Sequence, residues 1–161
     1  MISIGDTAPS FTLLTAHNPP DGAPLRPVSL DALLAEGPVV LAFFPAAFTG
    51  VCEKEMCTFR DNFKALGSAN ASVVGISSDL PFAQKAFADQ NALPFPLLSD
   101  LGGKVATSFS VAYDDFIGLS GIAKRSVFVL NTKGVVTYTW VTDDAGVEPP
   151  YDEVIEAAES A

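Results

Sequence analysis

The run Val39-Val40-Leu41-Ala42-Phe43-Phe44 is apolar at every position and bounded by Pro38 and Pro45. No alternation marks a wet face, so the run predicts a strand buried on both sides, as in parallel sheets covered by helices. The sequence supplies the covering helices. Cys52, Met56, Phe59, Phe63 and Leu66 recur at helical spacing and form one apolar stripe, closed by Gly67. Ser72 to Ser77 contains Val73-Val74-Gly75-Ile76, a second buried strand. Pro81 suits the first position of a helix that continues over Phe82 to Asp89. Phe95 to Leu98 predicts a short strand whose proline suggests a sheet edge. Lys104 to Phe109 predicts a short helix. Ser126 to Leu130 and Val135 to Val141 form two strands around the turn Asn131-Thr132-Lys133-Gly134. Tyr151 to Glu159 predicts a last helix. Near the start, Pro9 to Leu14 makes a short strand, residues 18–24 a turn-rich loop, and Ser29 caps a helix over Leu30 to Ala35.

Strands alternating with helices, then a hairpin, define the α/β class with a central mixed sheet flanked by helices. A thioredoxin-like arrangement is the compact solution, although periodicity alone does not separate it from other small α/β folds. The 161 residues carry no repeat and no linker, so one domain over 1–161 is expected. Nineteen acids against nine bases give a net charge of −10, which argues against nucleic acid or an anionic membrane as partner. The longest apolar run, Val39 to Phe48, is interrupted by Pro45 and too short to span a bilayer. The first residues have neither the basic nor the apolar region of a secretory signal, so a cytoplasmic protein with reduced cysteines is expected.

Chemistry concentrates between Phe43 and Cys57. A buried strand stops at Pro45, a short loop leads to Thr49, and Thr49 is a good N-cap. Cys52 then falls at N3, among unsatisfied backbone N–H groups and at the positive end of the helix dipole. A thiolate is favoured there, and such a cysteine is expected to titrate below the free value of about 8.5. Spacing alone leaves Cys52 equally readable as a small buried residue of the apolar stripe. Two cysteines and a lone His17, more simply a loop residue, fall short of a zinc site, so no metal and no cofactor are expected.

The same stretch resembles the peroxiredoxins. Their signature is a proline, three residues, a threonine or serine, two residues and the reactive cysteine, matched here by Pro45, Thr49 and Cys52. Arg125, in Lys124-Arg125-Ser126-Val127, fits the family's downstream arginine. The similarity extends from Gly5-Asp6-Thr7-Ala8-Pro9 through Leu98-Ser99-Asp100 to the last hairpin. Ala47-Phe48-Thr49-Gly50-Val51-Cys52 looks most like the alkyl hydroperoxide reductase E branch. Cys57, five places on, looks like the resolving cysteine of the bacterioferritin comigratory (peroxiredoxin Q) branch. No cysteine follows Trp140, unlike the typical two-cysteine branch.

The resemblance implies a thiol-dependent peroxidase acting on hydrogen peroxide and organic hydroperoxides. Cys52 would be oxidised to a sulfenic acid. Thr49 would donate to the peroxide and accept from a backbone N–H, Arg125 would supply fixed charge, and Pro45 would shield the sulfur. Glu55 would hold Arg125, although a solvent-facing helical charge fits its position as well. Cys57 would resolve Cys52 as an intramolecular disulfide. In an intact helix, residues five apart have Cα atoms roughly 8.7 Å apart, while a disulfide needs less than about 7 Å. The helix start would therefore have to unwind. A one-cysteine peroxidase and a redox-sensing or holdase protein are the alternatives. The implied partners are a thiol reductant of thioredoxin, glutaredoxin or mycoredoxin type and a homodimer mate.

Overall fold

In a computed structural model, which describes residues 1–161, the Val39–Phe43 strand (β3) lies inside the sheet with every residue fully buried. Six further strands surround it: β1 (Thr12–Thr15), β2 (Arg26–Ser29), β4 (Ser72–Ser77), β5 (Leu97–Ser99), β6 (Ser126–Leu130) and β7 (Val136–Val141). Their spatial order is β2-β1-β5-β4-β3-β6-β7. β3 pairs in parallel with β4 and antiparallel with β6, so the sheet is mixed, as its apolar runs predict.

Alternate residues of β3 feed two cores. Val39, Leu41 and Phe43 join Phe109, Phe128 and Leu30 on one face, under α1 (Leu30–Leu34) and α5 (Lys104–Ser108). Val40, Ala42 and Phe44 face α2 (Gly50–Asp61), α4 (Pro81–Gln90) and α6 (Tyr151–Glu159), joining Cys52, Met56, Phe59, Phe87 and Val154. Helices on both faces explain why β3 has no polar position. Gly75 of β4 sets how closely α2 approaches. A Cβ there would come 2.5 Å from Leu97 Cδ2 and 3.2 Å from Met56 Sδ.

Three expectations are corrected. β5 is an inner strand, pairing with β4 in parallel and with β1 antiparallel at Leu14–Ser99. Pro96 is compatible with this because it precedes the strand and uses only its carbonyl, which accepts from Gly75 N at 3.1 Å. The true edges are β7 and β2, and β2 lies between the turn-rich loop and the helix cap, where the local pattern shows no strand. Its Pro27 sits on the outermost strand, where a missing N–H costs no ladder bond. The helix after Thr49 is not continuous to Gly67. Asn62 interrupts it, its side-chain Nδ2 donating to the Thr58 carbonyl at 2.8 Å, and α3 (Phe63–Ser68) follows. Ser29 does cap α1, its hydroxyl accepting from Ala32 N at 3.2 Å.

Candidate active site

Cys52 is the N3 residue of α2, as the sequence predicts, and is 1% exposed. Its sulfur faces Arg125, whose Nη2 lies 3.3 Å from Sγ. Arg125 immediately precedes β6, and the antiparallel β3–β6 pairing, Phe43 opposite Ser126, brings it beside the end of β3 where the active loop begins. The guanidinium is itself 1% exposed and held on two further sides. Nη1 donates to the Glu55 carboxylate, and Nη2 donates to the Ala145 carbonyl at 2.7 Å. Glu55 is therefore a buried partner of Arg125 and not a solvent-facing charge, with 0% exposure. Arg125 Nε and Glu55 Oε1 have no partner in the chain. Such a sparsely bonded buried pair gains little net stability over apolar residues, so its presence points to chemistry.

Burial pushes the Glu55 carboxyl up to about 8, although the Arg125 charge pulls the other way. For Arg125, burial opposes the charge, and the Glu55 and Cys52 anions outweigh it, so its pKa is raised. Between the unfolded value near 4.5 and the folded value of about 8, the folded state holds one more proton than the unfolded state. This contribution to stability is complete below the lower value and is lost as pH rises through the upper one, at up to about 1.4 kcal/mol per pH unit. Urea midpoints measured across this window should fall with pH, and Glu55→Gln should flatten the fall. An equally steep fall in Glu55→Gln would contradict the assignment.

The loop before α2 completes the site. Pro45 is buried beside the sulfur. Phe48 is held at φ 61°, unusual for a bulky residue, with its ring against Phe87 at 5.3 Å. Thr49 occupies the N-cap position but makes no side-chain cap, correcting the expected bond to a backbone N–H. Its hydroxyl donates to the Ala46 carbonyl at 2.8 Å. With its proton committed there, the lone pairs of the Thr49 oxygen are left free. The N–H groups of the first turn are left without that cap and can serve an anion.

Pro45, Thr49, Cys52 and Arg125 line one hollow of about 290 Å³ with Ala46, Gly50, Val51, Phe116, Ala145 and Gly146. Larger hollows elsewhere contain no cysteine. Local patterns gave no sign of Phe116 or Ala145. Both sit in loops, and Ala145 contributes only a carbonyl. Cys57 is half-buried outside the hollow, and its Sγ donates to Asn91 Oδ1 at 3.5 Å at the end of α4. Cys52 and Cys57 are both free thiols on one unbroken helix. His17 lies outside the hollow, its ring beside Asn18 Nδ2.

A buried cysteine at a helix N-terminus, hydrogen-bonded by a buried arginine on a thioredoxin-like sheet, defines a thiol-redox class of protein. The AhpC/TSA family model matches residues 4–139, and the chain belongs to that family. It is 42% identical over 139 residues to the chloroplastic peroxiredoxin Q of Triticum aestivum, covering 86% of this chain and 59% of that one. It is also 42% identical over 135 residues to the chloroplastic peroxiredoxin Q of Sedum lineare, covering 84% of this chain and 67% of that one. The chain thus spans roughly three fifths to two thirds of these relatives' lengths. Among solved structures, peroxidoxin BcpB of Mycobacterium tuberculosis superposes with a TM-score of 0.86 at 34% identity, over 99% of this chain and 98% of that one.

Proposed function

We propose that the protein is a thiol-dependent peroxidase that reduces hydrogen peroxide and organic hydroperoxides at Cys52. The observation that carries this reading is the 3.3 Å contact between Arg125 Nη2 and Cys52 Sγ inside a small hollow with Thr49 at its rim. Guanidinium and helix terminus stabilise the anionic sulfur. A hydroperoxide ROOH enters with its O–H donating to Thr49 Oγ1. The sulfur attacks that oxygen, the O–O bond breaks, and the S–O bond forms. Cys52 is oxidised to a sulfenic acid, and the peroxide leaves as RO⁻, protonated from solvent to ROH. Arg125 and the free first-turn N–H groups face the oxygens as charge develops. Pro45 limits competing water. Glu55 fixes the guanidinium and acts as a positioning residue. Peroxide consumption with dithiothreitol as reductant tests the reading. Sustained turnover supports it, and a single slow turnover with no recovery would favour a sensing role instead.

The sulfenic acid is resolved by Cys57 as a Cys52–Cys57 disulfide, with loss of water, and a thiol reductant of thioredoxin, glutaredoxin or mycoredoxin type restores both thiols. This step requires α2 to unwind from Gly50 to about Thr58 and Cys57 to leave Asn91. The break at Asn62 gives the unwinding a place to stop, beyond which Leu66 stays packed. Several helical hydrogen bonds, each worth about 0.5–1.5 kcal/mol net, are given up, so the disulfide should be easily reduced. Hydrogen exchange should accelerate on oxidation within residues 50–58 and stay slow at Leu66. Cys57→Ser should complete its first turnover and then accumulate sulfenic acid. Normal cycling of that mutant with thioredoxin would assign the enzyme a one-cysteine cycle.

A homodimer would cover the exposed apolar side chains Leu14, Leu80, Phe82 and Leu101, which share a hollow of about 620 Å³. A sedimentation mass equal to one chain would exclude it.

A further inference from the structure

Resting on the peroxidase reading, we propose that Asp79 is a positioning residue for the peroxide step, orienting the Thr49 hydroxyl through the Ala46–Ala47 peptide group. Thr49 Oγ1 donates to the Ala46 carbonyl at 2.8 Å. Ala47 N–H, the other end of the same peptide group, donates to Asp79 Oδ2 at 2.8 Å. The chain has no cis bonds, so the two contacts lie on opposite sides of a planar unit. A peptide whose N–H meets a carboxylate is polarised, and its carbonyl becomes the stronger acceptor. The carboxylate thereby fixes both the place of that carbonyl and the direction of the Thr49 proton. The Thr49 lone pairs are turned towards the hollow as a result.

Asp79 is itself fixed by groups that peroxide chemistry does not otherwise use. Ser77, fully buried in β4, donates its hydroxyl to the same Asp79 Oδ2 at 2.7 Å. Gln84 of α4, 1% exposed, donates Nε2 to Ser77 Oγ at 2.9 Å and to the Leu98 carbonyl at 2.9 Å. Ser99 Oγ donates to the Asp79 carbonyl at 2.7 Å. The hydrogen bonds run from Gln84 through Ser77 to Asp79, across the Ala46–Ala47 peptide, and end at the Thr49 hydroxyl. Two runs of donors converge on Asp79 Oδ2, Gln84 to Ser77 to Asp79 from one side and Thr49 through the Ala46–Ala47 peptide to Asp79 from the other, and within each run one bond strengthens the next. The loop it secures also contains the strained Phe48, which would relax without an anchor.

The test is a double-mutant cycle read by stopped-flow oxidation of Cys52 with hydrogen peroxide. Asp79→Ala should slow the second-order step on the order of 10- to 100-fold, as misplacement of a distant support can. Asp79→Asn, which can still accept from Ala47 N–H but lacks the charge, should recover part of the rate. Asp79→Ala combined with Thr49→Val should be no slower than Thr49→Val alone, because both remove the same oriented hydroxyl. Alkylation of Cys52 by iodoacetamide, which does not need the Thr49 acceptor, should proceed at the wild-type rate in every variant. Multiplying effects in the double mutant, an unchanged peroxide rate in Asp79→Ala, or a parallel loss of alkylation would overturn the proposal. Should Asp79→Ala not fold, Asp79→Asn and its combination with Thr49→Val close the same cycle. A wild-type protein inert to peroxide would fail the peroxidase reading itself, and this inference with it.

Discussion

Cys52→Ser should consume no peroxide at any reductant concentration while keeping the wild-type fold. The substitution exchanges one small buried atom at a site that is 1% exposed. It leaves Arg125, Glu55 and the loop in place, and a serine hydroxyl is not oxidised by a hydroperoxide. No other residue can take over. Cys57, the second thiol, lies outside the hollow on the Asn91 side of α2, away from the guanidinium. Residual turnover in Cys52→Ser with Cys57 intact would show that the reactive sulfur has been misassigned. Circular dichroism and urea unfolding of the same preparation establish that the loss is chemical.

Arg125→Ala should have the second largest effect, and it should act on two quantities at once. Removing a positioned donor at a developing charge typically lowers the rate on the order of 10²–10³-fold. The same truncation leaves the Glu55 carboxyl buried among apolar side chains without its cation. Above pH about 8, where Glu55 is ionised, removing one partner of a buried pair costs about 3–5 kcal/mol. Glu55→Gln added to Arg125→Ala should therefore restore much of the stability and none of the rate. A double mutant that recovers both would mean that Arg125 only supports the fold. Arg125→Lys should remain slow, because a lysine keeps the charge but cannot reach Sγ, Glu55 and the Ala145 carbonyl from one planar group.

The two halves of the site were unequally legible. Cys52 at N3 follows from local rules: an apolar strand, a proline stop and a capping residue fix where the helix begins. β3 and β4 were equally plain, since an unbroken apolar run has few other uses. Arg125 lies 73 residues from Cys52, and only strand pairing brings them together. No spacing rule spans that gap, so its place came from family resemblance. Glu55 was ambiguous because a charged residue on a helix is ordinarily solvated, and its burial depends on Arg125 being opposite. Thr49 was expected to cap the helix by its hydroxyl, but the hydroxyl makes no cap and donates to the Ala46 carbonyl of the loop. The inner position of β5 was hidden because strand order is not local, and its proline pointed the wrong way. Asp79 sits 32 residues from Ala47, and no local spacing joins the two.

In the proposed cycle Cys52 supplies the sulfur that attacks the peroxide, and Cys57 completes the turnover. Mass spectrometry without reductant, on fully reduced wild-type protein given one equivalent of hydrogen peroxide, tests it most directly. The expected result is a peptide linking Cys52 to Cys57 within one chain, and in Cys57→Ser a single added oxygen on Cys52 that a dimedone probe traps. Unmodified Cys52 after the peroxide has been consumed, or oxidation confined to Cys57 or the methionines, would contradict it.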